Sequence, residues 1–61
     1  MHYEVERLSM AGRWLKVGSR SVKKYKLLSD AQLGAAAVRG RGSVVRIVRV
    51  AYDRSREVVE E

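Results

Sequence analysis

Ser43-Val44-Val45-Arg46-Ile47-Val48-Arg49-Val50-Ala51-Tyr52 is the segment on which the fold turns. Its valines, Ile47 and Tyr52 are strong β-formers, uninterrupted by Gly or Pro, and predict a central strand. Strict alternation puts Val44, Arg46, Val48, Val50 and Tyr52 on one face. Val45, Ile47, Arg49 and Ala51 fall on the other, so each face carries one arginine. Two arrangements accommodate them: a bulge near Ile47 that brings both to a common side, or a central strand with snorkelling arginines. A helix from Val44 to Glu61 is disfavoured by the valine-rich composition.

Downstream, Asp53-Arg54-Ser55 is a turn, and Arg56 to Val59 is expected to pair back as a last strand that fades into Glu60-Glu61. Upstream, Ser29-Asp30-Ala31-Gln32 fits a capping box with Ser29 as N-cap, and Asp30 suits the positive end of a helix dipole. Leu33, Ala36, Ala37 and Gly40 form the expected buried stripe, flanked by Ala35 and Val38. Arg39 lies in the last turn, and Gly40 is expected in the left-handed C′ position. Gly34 costs a helix about 1 kcal/mol against alanine, which implies that something packs closely there.

Before the helix, His2 to Leu8 alternates with Tyr3 and Val5 opposite Glu4 and Glu6, the pattern of a strand. Ser9-Met10-Ala11-Gly12 suits a hairpin loop, and Arg13 to Val17 is the return strand, interrupted at Gly18-Ser19. Val22 to Leu27 is a candidate third strand. The expected fold is therefore α+β: a small antiparallel sheet of three to five strands with one short helix packed on one face, ordered β-β-(β)-α-β-β. It forms a single domain over residues 1–61, with the last one to three residues expected to fray.

Composition bounds what such a chain can do. At 61 residues, only ~60% of the surface of the unfolded chain becomes buried, enough for one small core. With no cysteine there is neither a disulfide framework nor a thiolate metal site. The longest apolar stretch, Leu33 to Val38, is far short of the ~18 residues of a membrane span, and no signal peptide is expected. His2 is the only histidine, at a terminus expected to fray, and with Glu4 it makes no metal set. Acid–base work by Glu4 with Glu6, or Glu57 with Glu60, requires a desolvating cleft that so small a domain hardly offers. The glycines form no phosphate loop. The sequence is thus read as non-enzymatic, without metal or cofactor, and cytoplasmic.

Charge is where the sequence is most informative. Thirteen Lys and Arg against seven Asp and Glu give +6, but the charges are segregated. Residues 1–6 carry −2 and residues 53–61 carry −2, whereas Arg7 to Arg49 holds eleven basic residues against Asp30 alone, or +10. Arg13, Trp14, Lys16, Arg20, Lys23, Lys24, Tyr25 and Lys26 form a basic stripe with interleaved aromatics, and Arg39 and Arg41 a second patch in an Arg-Gly-Arg-Gly loop. Cations of this kind displace counterions from phosphates, and aromatics between them can stack on unpaired bases. The competing reading is a solvated lysine face with the aromatics filling the core: on size the core is preferred for Trp14, whereas Tyr25 suits core and surface equally. For the acidic ends, an intramolecular ion-pair face is preferred over pairing with the basic edge of a second copy, which leaves a homodimer open.

Gly12-Arg13-Trp14-x-x-Val17, followed by Leu28-Ser29-Asp30-Ala31 opening an alanine helix, resembles the three-stranded-sheet arm DNA-binding domains of phage integrases. That resemblance implies a basic sheet set against DNA. The run from Ser29 through Arg39-Gly40-Arg41-Gly42-Ser43 to Arg56-Glu57-Val58-Val59 is similar to small uncharacterised phage and prophage proteins, which implies a viral accessory role in a bacterial host. The leading expectation is a binding module that contacts nucleic-acid backbone. The alternatives are an inhibitor or adaptor docking on an acidic host protein, and a structural protein acting as a homo-oligomer.

Overall fold

Strand formation follows the alternation. In the computed structural model, which describes residues 1–18 and 22–61, β1 (His2–Leu8) and β2 (Trp14–Lys16) form a hairpin. Gly12 closes the turn with φ +80°, a conformation glycine reaches without steric cost. Helix α1 (Leu28–Arg39) follows, then β3 (Val45–Val50) and β4 (Arg56–Glu60). The four strands make one antiparallel sheet in the order β2-β1-β3-β4, so the valine-rich segment is central, as expected. Among the described residues, no helix is long and apolar enough to cross a membrane.

α1 lies across β1 and β3 on one face of the sheet. Val5, Val45 and Ile47 meet Ala31, Ala35 and Val38 there, with Tyr3, Val17, Tyr25 and Leu28 at the margin. The buried stripe is therefore Ala31-Ala35-Val38, not the expected Leu33-Ala36-Ala37-Gly40, and Leu33 is 73% exposed. Alanine occupies positions 31, 35, 36 and 37, so small side chains are available on several sides of the helix. Which side faces inward is decided by the bulkier Leu28 and Val38 at its two ends.

The helix ends also depart from the local signals. Leu27, in extended conformation, is the N-cap and no side chain caps the helix, so Ser29 is already inside it. Starting two residues earlier brings Leu28 onto the core, and that packing outweighs the hydroxyl cap. Gln32 instead donates to Glu60 Oε2 on β4 at 2.8 Å. At the other end Gly40 is right-handed (φ −62°), and the left-handed position falls at Gly42 (φ +91°). The chain makes an additional turn there, with the Arg41 N–H donating to the Val38 carbonyl.

Val22 to Leu27 is not a strand: only Tyr25 pairs, exchanging two backbone hydrogen bonds with Tyr3. The outer edge of β1 is already occupied by β2, and by Val17 bonded to Val5, which leaves Tyr3 as the free position. Tyr25 in turn lies against Gly34, where any Cβ would collide with its ring and hydroxyl. This is the close approach that a glycine inside the helix implied.

The two arginines of β3 remain on opposite faces. β1 pairs with β3 in unbroken register, from His2 opposite Val50 to Arg7 opposite Val45. The bulge lies across the ladder in β4, where Val58 pairs with Val48 and Glu60 with Ile47, so Val59 is the additional residue.

Candidate functional site

The sheet face away from α1 is organised around Glu4 and Glu6. These carboxylates point to the side with no helix, yet they are only 4% and 6% exposed. A ring of cations covers them. Arg56 bridges the two, donating to Glu4 Oε1 at 3.0 Å and to Glu6 Oε2 at 2.9 Å. Arg46 Nε donates to Glu6 Oε1 at 2.7 Å, and His2 Nε2 to Glu4 Oε2 at 2.7 Å. Lys16 Nζ stands 4.0 Å from Glu4 Oε1. Every carboxylate oxygen thus has a partner, as buried charge requires. Burial would raise the Glu4 pKa, but hydrogen bonds from His2 and Arg56 and the charges of Arg56 and Lys16 outweigh it and hold it below 4.5. His2, far from hanging free, opens β1 opposite Val50.

Trp14 belongs to this face and not to the core beneath the helix, because its pairing with Leu8 in the hairpin aligns it with Glu6 and Glu4. The Arg46 guanidinium lies 4.1 Å from its ring centroid. One ring face of the half-buried indole is therefore held against a guanidinium that Glu6 itself fixes.

The remaining cations divide by location. Arg49 pairs with Glu57, while Arg46 and Arg56 serve Glu4 and Glu6. Among the described residues, Arg7, Arg13, Lys23, Lys24, Lys26, Arg39, Arg41 and Arg54 make no ion pair, and apart from His2 the network holds Lys16 only at its outer limit. Half of these eight follow the β2 side of the sheet, where Lys16 joins them. Lys16 and Lys24 border one depression together with His2, Glu4 and Val22. Lys16 also borders a second, with Arg7, Val17, Gly18 and Arg41. Arg13 precedes β2 at the end of the sheet where Leu8 bonds to Val44, close to the loop that carries Arg41. Arg39 is exposed in the last turn of α1.

Of the residues singled out from the sequence, Arg13, Lys16, Lys24 and Arg41 thus border one side of the sheet. Lys26 is exposed just before α1, and Arg20 lies outside the described residues. Lys23 sits with its ammonium 5.4 Å from the Tyr25 ring centroid, and Tyr25 itself packs against the core and Gly34. Two features were missed. Arg7 joins the basic side through its position opposite Leu15, next to Arg41. The Glu4–Glu6–Arg46–Arg56 network links residues 40 to 52 positions apart, and its only local trace is the preference for an intramolecular ion-pair face.

The opposite edge of the sheet has another character. β4 is exposed along most of its length, its regular pairing is interrupted at Val59, and Glu60 and Glu61 follow. A bulge and terminal charge are features that discourage edge-to-edge pairing. Among the described residues, no group of three or more potential metal ligands gathers. In comparisons with family models, curated proteins and solved structures, nothing matches this chain.

Proposed function

We propose that this chain is a small binding module that holds nucleic-acid backbone along the β2 side of its sheet, with Arg7, Arg13, Lys16, Lys24 and Arg41 as the principal contacts and Lys23, Lys26 and Arg39 as flanking ones. The observation that carries this reading is the division of its cations. Arginines that face carboxylates are consumed in ion pairs, whereas among the described residues Arg7, Arg13, Lys24 and Arg41 carry none and Lys16 is held only at 4.0 Å from Glu4 Oε1. A row of unneutralised cations is the footprint expected for a polyanion.

A binding role is favoured over catalysis because the only buried carboxylates, Glu4 and Glu6 among the described residues, are fully engaged by Arg46, Arg56 and His2. General acid–base chemistry needs a carboxyl group that can exchange its proton with a substrate.

Binding of a labelled 20-nucleotide strand, followed by anisotropy between 50 and 200 mM salt, tests the reading. Roughly six phosphate contacts would weaken affinity by about 10²-fold or more over that range. Salt-insensitive binding, or none at 50 mM, would contradict it.

A further inference from the structure

The preceding proposal leaves the open face of the sheet without a role, although the chain places costly groups there. Burying charges is expensive, and apolar residues of similar volume often stabilise a fold as well or better. Stability alone therefore does not account for Glu4, Glu6, Arg46 and Arg56 at the centre of that face. Their geometry has a definite product. Glu6 fixes Arg46 at 2.7 Å, and Arg46 supports one face of the Trp14 ring at 4.1 Å. Trp14 is half-buried on β2, opposite the exposed Leu8. Lys16 follows two residues later on the same face, about 7 Å along the strand. Lys24 borders the depression beyond it.

The shape of the molecule argues against reading a duplex groove. Four strands at a spacing of roughly 4.8 Å span about 14 Å before side chains are counted, against a major groove about 12 Å wide. The outer side of α1 presents Ser29, Gln32, Leu33, Ala36 and Ala37, with Asp30 at its start and Arg39 as its one cation. That is not a basic recognition helix. An aromatic ring on a sheet, between Arg13, which makes no ion pair among the described residues, and Lys16, held only at 4.0 Å from Glu4, suits instead a strand whose bases are free to leave the stack.

Resting on the nucleic-acid reading above, we infer that the ligand is single-stranded and that an unpaired base stacks on the Trp14 ring from the side away from Arg46, with the adjoining phosphates on Arg13 and Lys16. The Glu6–Arg46 pair acts as a positioning element that sets the ring. Trp14 is the only tryptophan, so its emission reports this contact alone.

The test titrates the full chain at 50 mM salt with three probes: a 12-nucleotide oligo-dT, a 12-nucleotide oligo-rU, and a 12-base-pair DNA duplex. Both single strands, or the one whose sugar is preferred, should quench Trp14 and bind more tightly than the duplex. Trp14→Ala should weaken single-strand binding by roughly 5- to 150-fold and change duplex binding less than about twofold. Trp14→Phe, which keeps a ring, should remain within about threefold of wild type. Should Trp14→Ala not fold, quenching in the wild-type chain still decides. Single strands that bind without altering Trp14 emission, or a duplex that binds as tightly, would overturn the inference while leaving backbone binding intact. Failure of all three probes to bind would overturn the nucleic-acid reading itself.

Discussion

The two faces of this sheet are both buried, by different means. Beneath α1, Val5, Val45 and Ile47 are covered by a helix whose contact residues are two alanines and a valine. On the other face, Glu4, Glu6 and Val48 are just as inaccessible, but no element lies over them. Their cover is the side chains of Arg46, Arg56, Lys16 and His2, whose aliphatic and ring portions lie over the sheet while their charges meet the carboxylates. On this face long cations, rather than a helix, provide the second layer. The contrast also sorts the arginines. Arg46 and Arg56 are engaged by the carboxylates of the open face, whereas Arg7, Arg13, Lys24 and Arg41 carry no ion pair among the described residues.

That distinction can be broken most forcefully on the helix side. Ile47 is 1% exposed, and Ile47→Ala should cost about 2 to 5 kcal/mol. A domain of this length has only roughly 3 to 9 kcal/mol in total, so the variant should be largely unfolded by circular dichroism at 37 °C. If it melts near the wild-type temperature, the helix-covered face is not the main source of stability.

On the open face the expected effect is smaller. Arg56→Ala removes one hydrogen bond from each of two nearly buried carboxylates. Water reaches the vacated site, because the Arg56 side chain is 35% exposed. The loss should be about 2 to 3 kcal/mol, read as a shift in urea midpoint at constant slope. A loss below about 0.5 kcal/mol would reduce the network to an ordinary surface ion pair.

The smallest effect is in pH. Glu4 has its pKa held below 4.5 in the folded chain by His2, Arg56 and Lys16, against the opposing effect of burial. The unfolded chain binds the proton more tightly, so this stabilisation is complete above about pH 4.5 and is lost as the pH falls through the folded value. Glu4→Gln should therefore flatten the decline of stability below pH 4.5. An unchanged profile would mean that other carboxylates govern acid unfolding.

Much of this architecture was legible locally. Alternation in His2 to Leu8 and in Val44 to Val50 located the two central strands, and a glycine inside the helix announced the close approach of Tyr25. What escaped depended on partners distant in sequence. Several alanines left the inward side of α1 undecided, and the packing of Leu28 overrode a good capping box at Ser29. Trp14 was assigned to the core on size alone. Only the hairpin register, with Leu8 opposite, places it on the charged face. Of the two arrangements open to the β3 arginines, a common side through a bulge near Ile47 is not adopted: Glu6 and Glu57 give each a counter-ion on its own side. Although the register does shift between Ile47 and Val48, the additional residue is Val59 of β4.

The division between structural and partner-facing cations is tested most directly by the salt dependence of oligonucleotide binding in two variants. Arg13, Lys24 and Arg41, exposed and without ion pairs among the described residues, are replaced together by Gln in one. Arg49, paired with Glu57, is replaced by Gln in the other. For a single strand, the triple variant should lower the slope of log affinity against log salt by about 2, and Arg49→Gln should leave it unchanged. A slope that survives the triple substitution, or that falls equally with Arg49→Gln, would contradict the account.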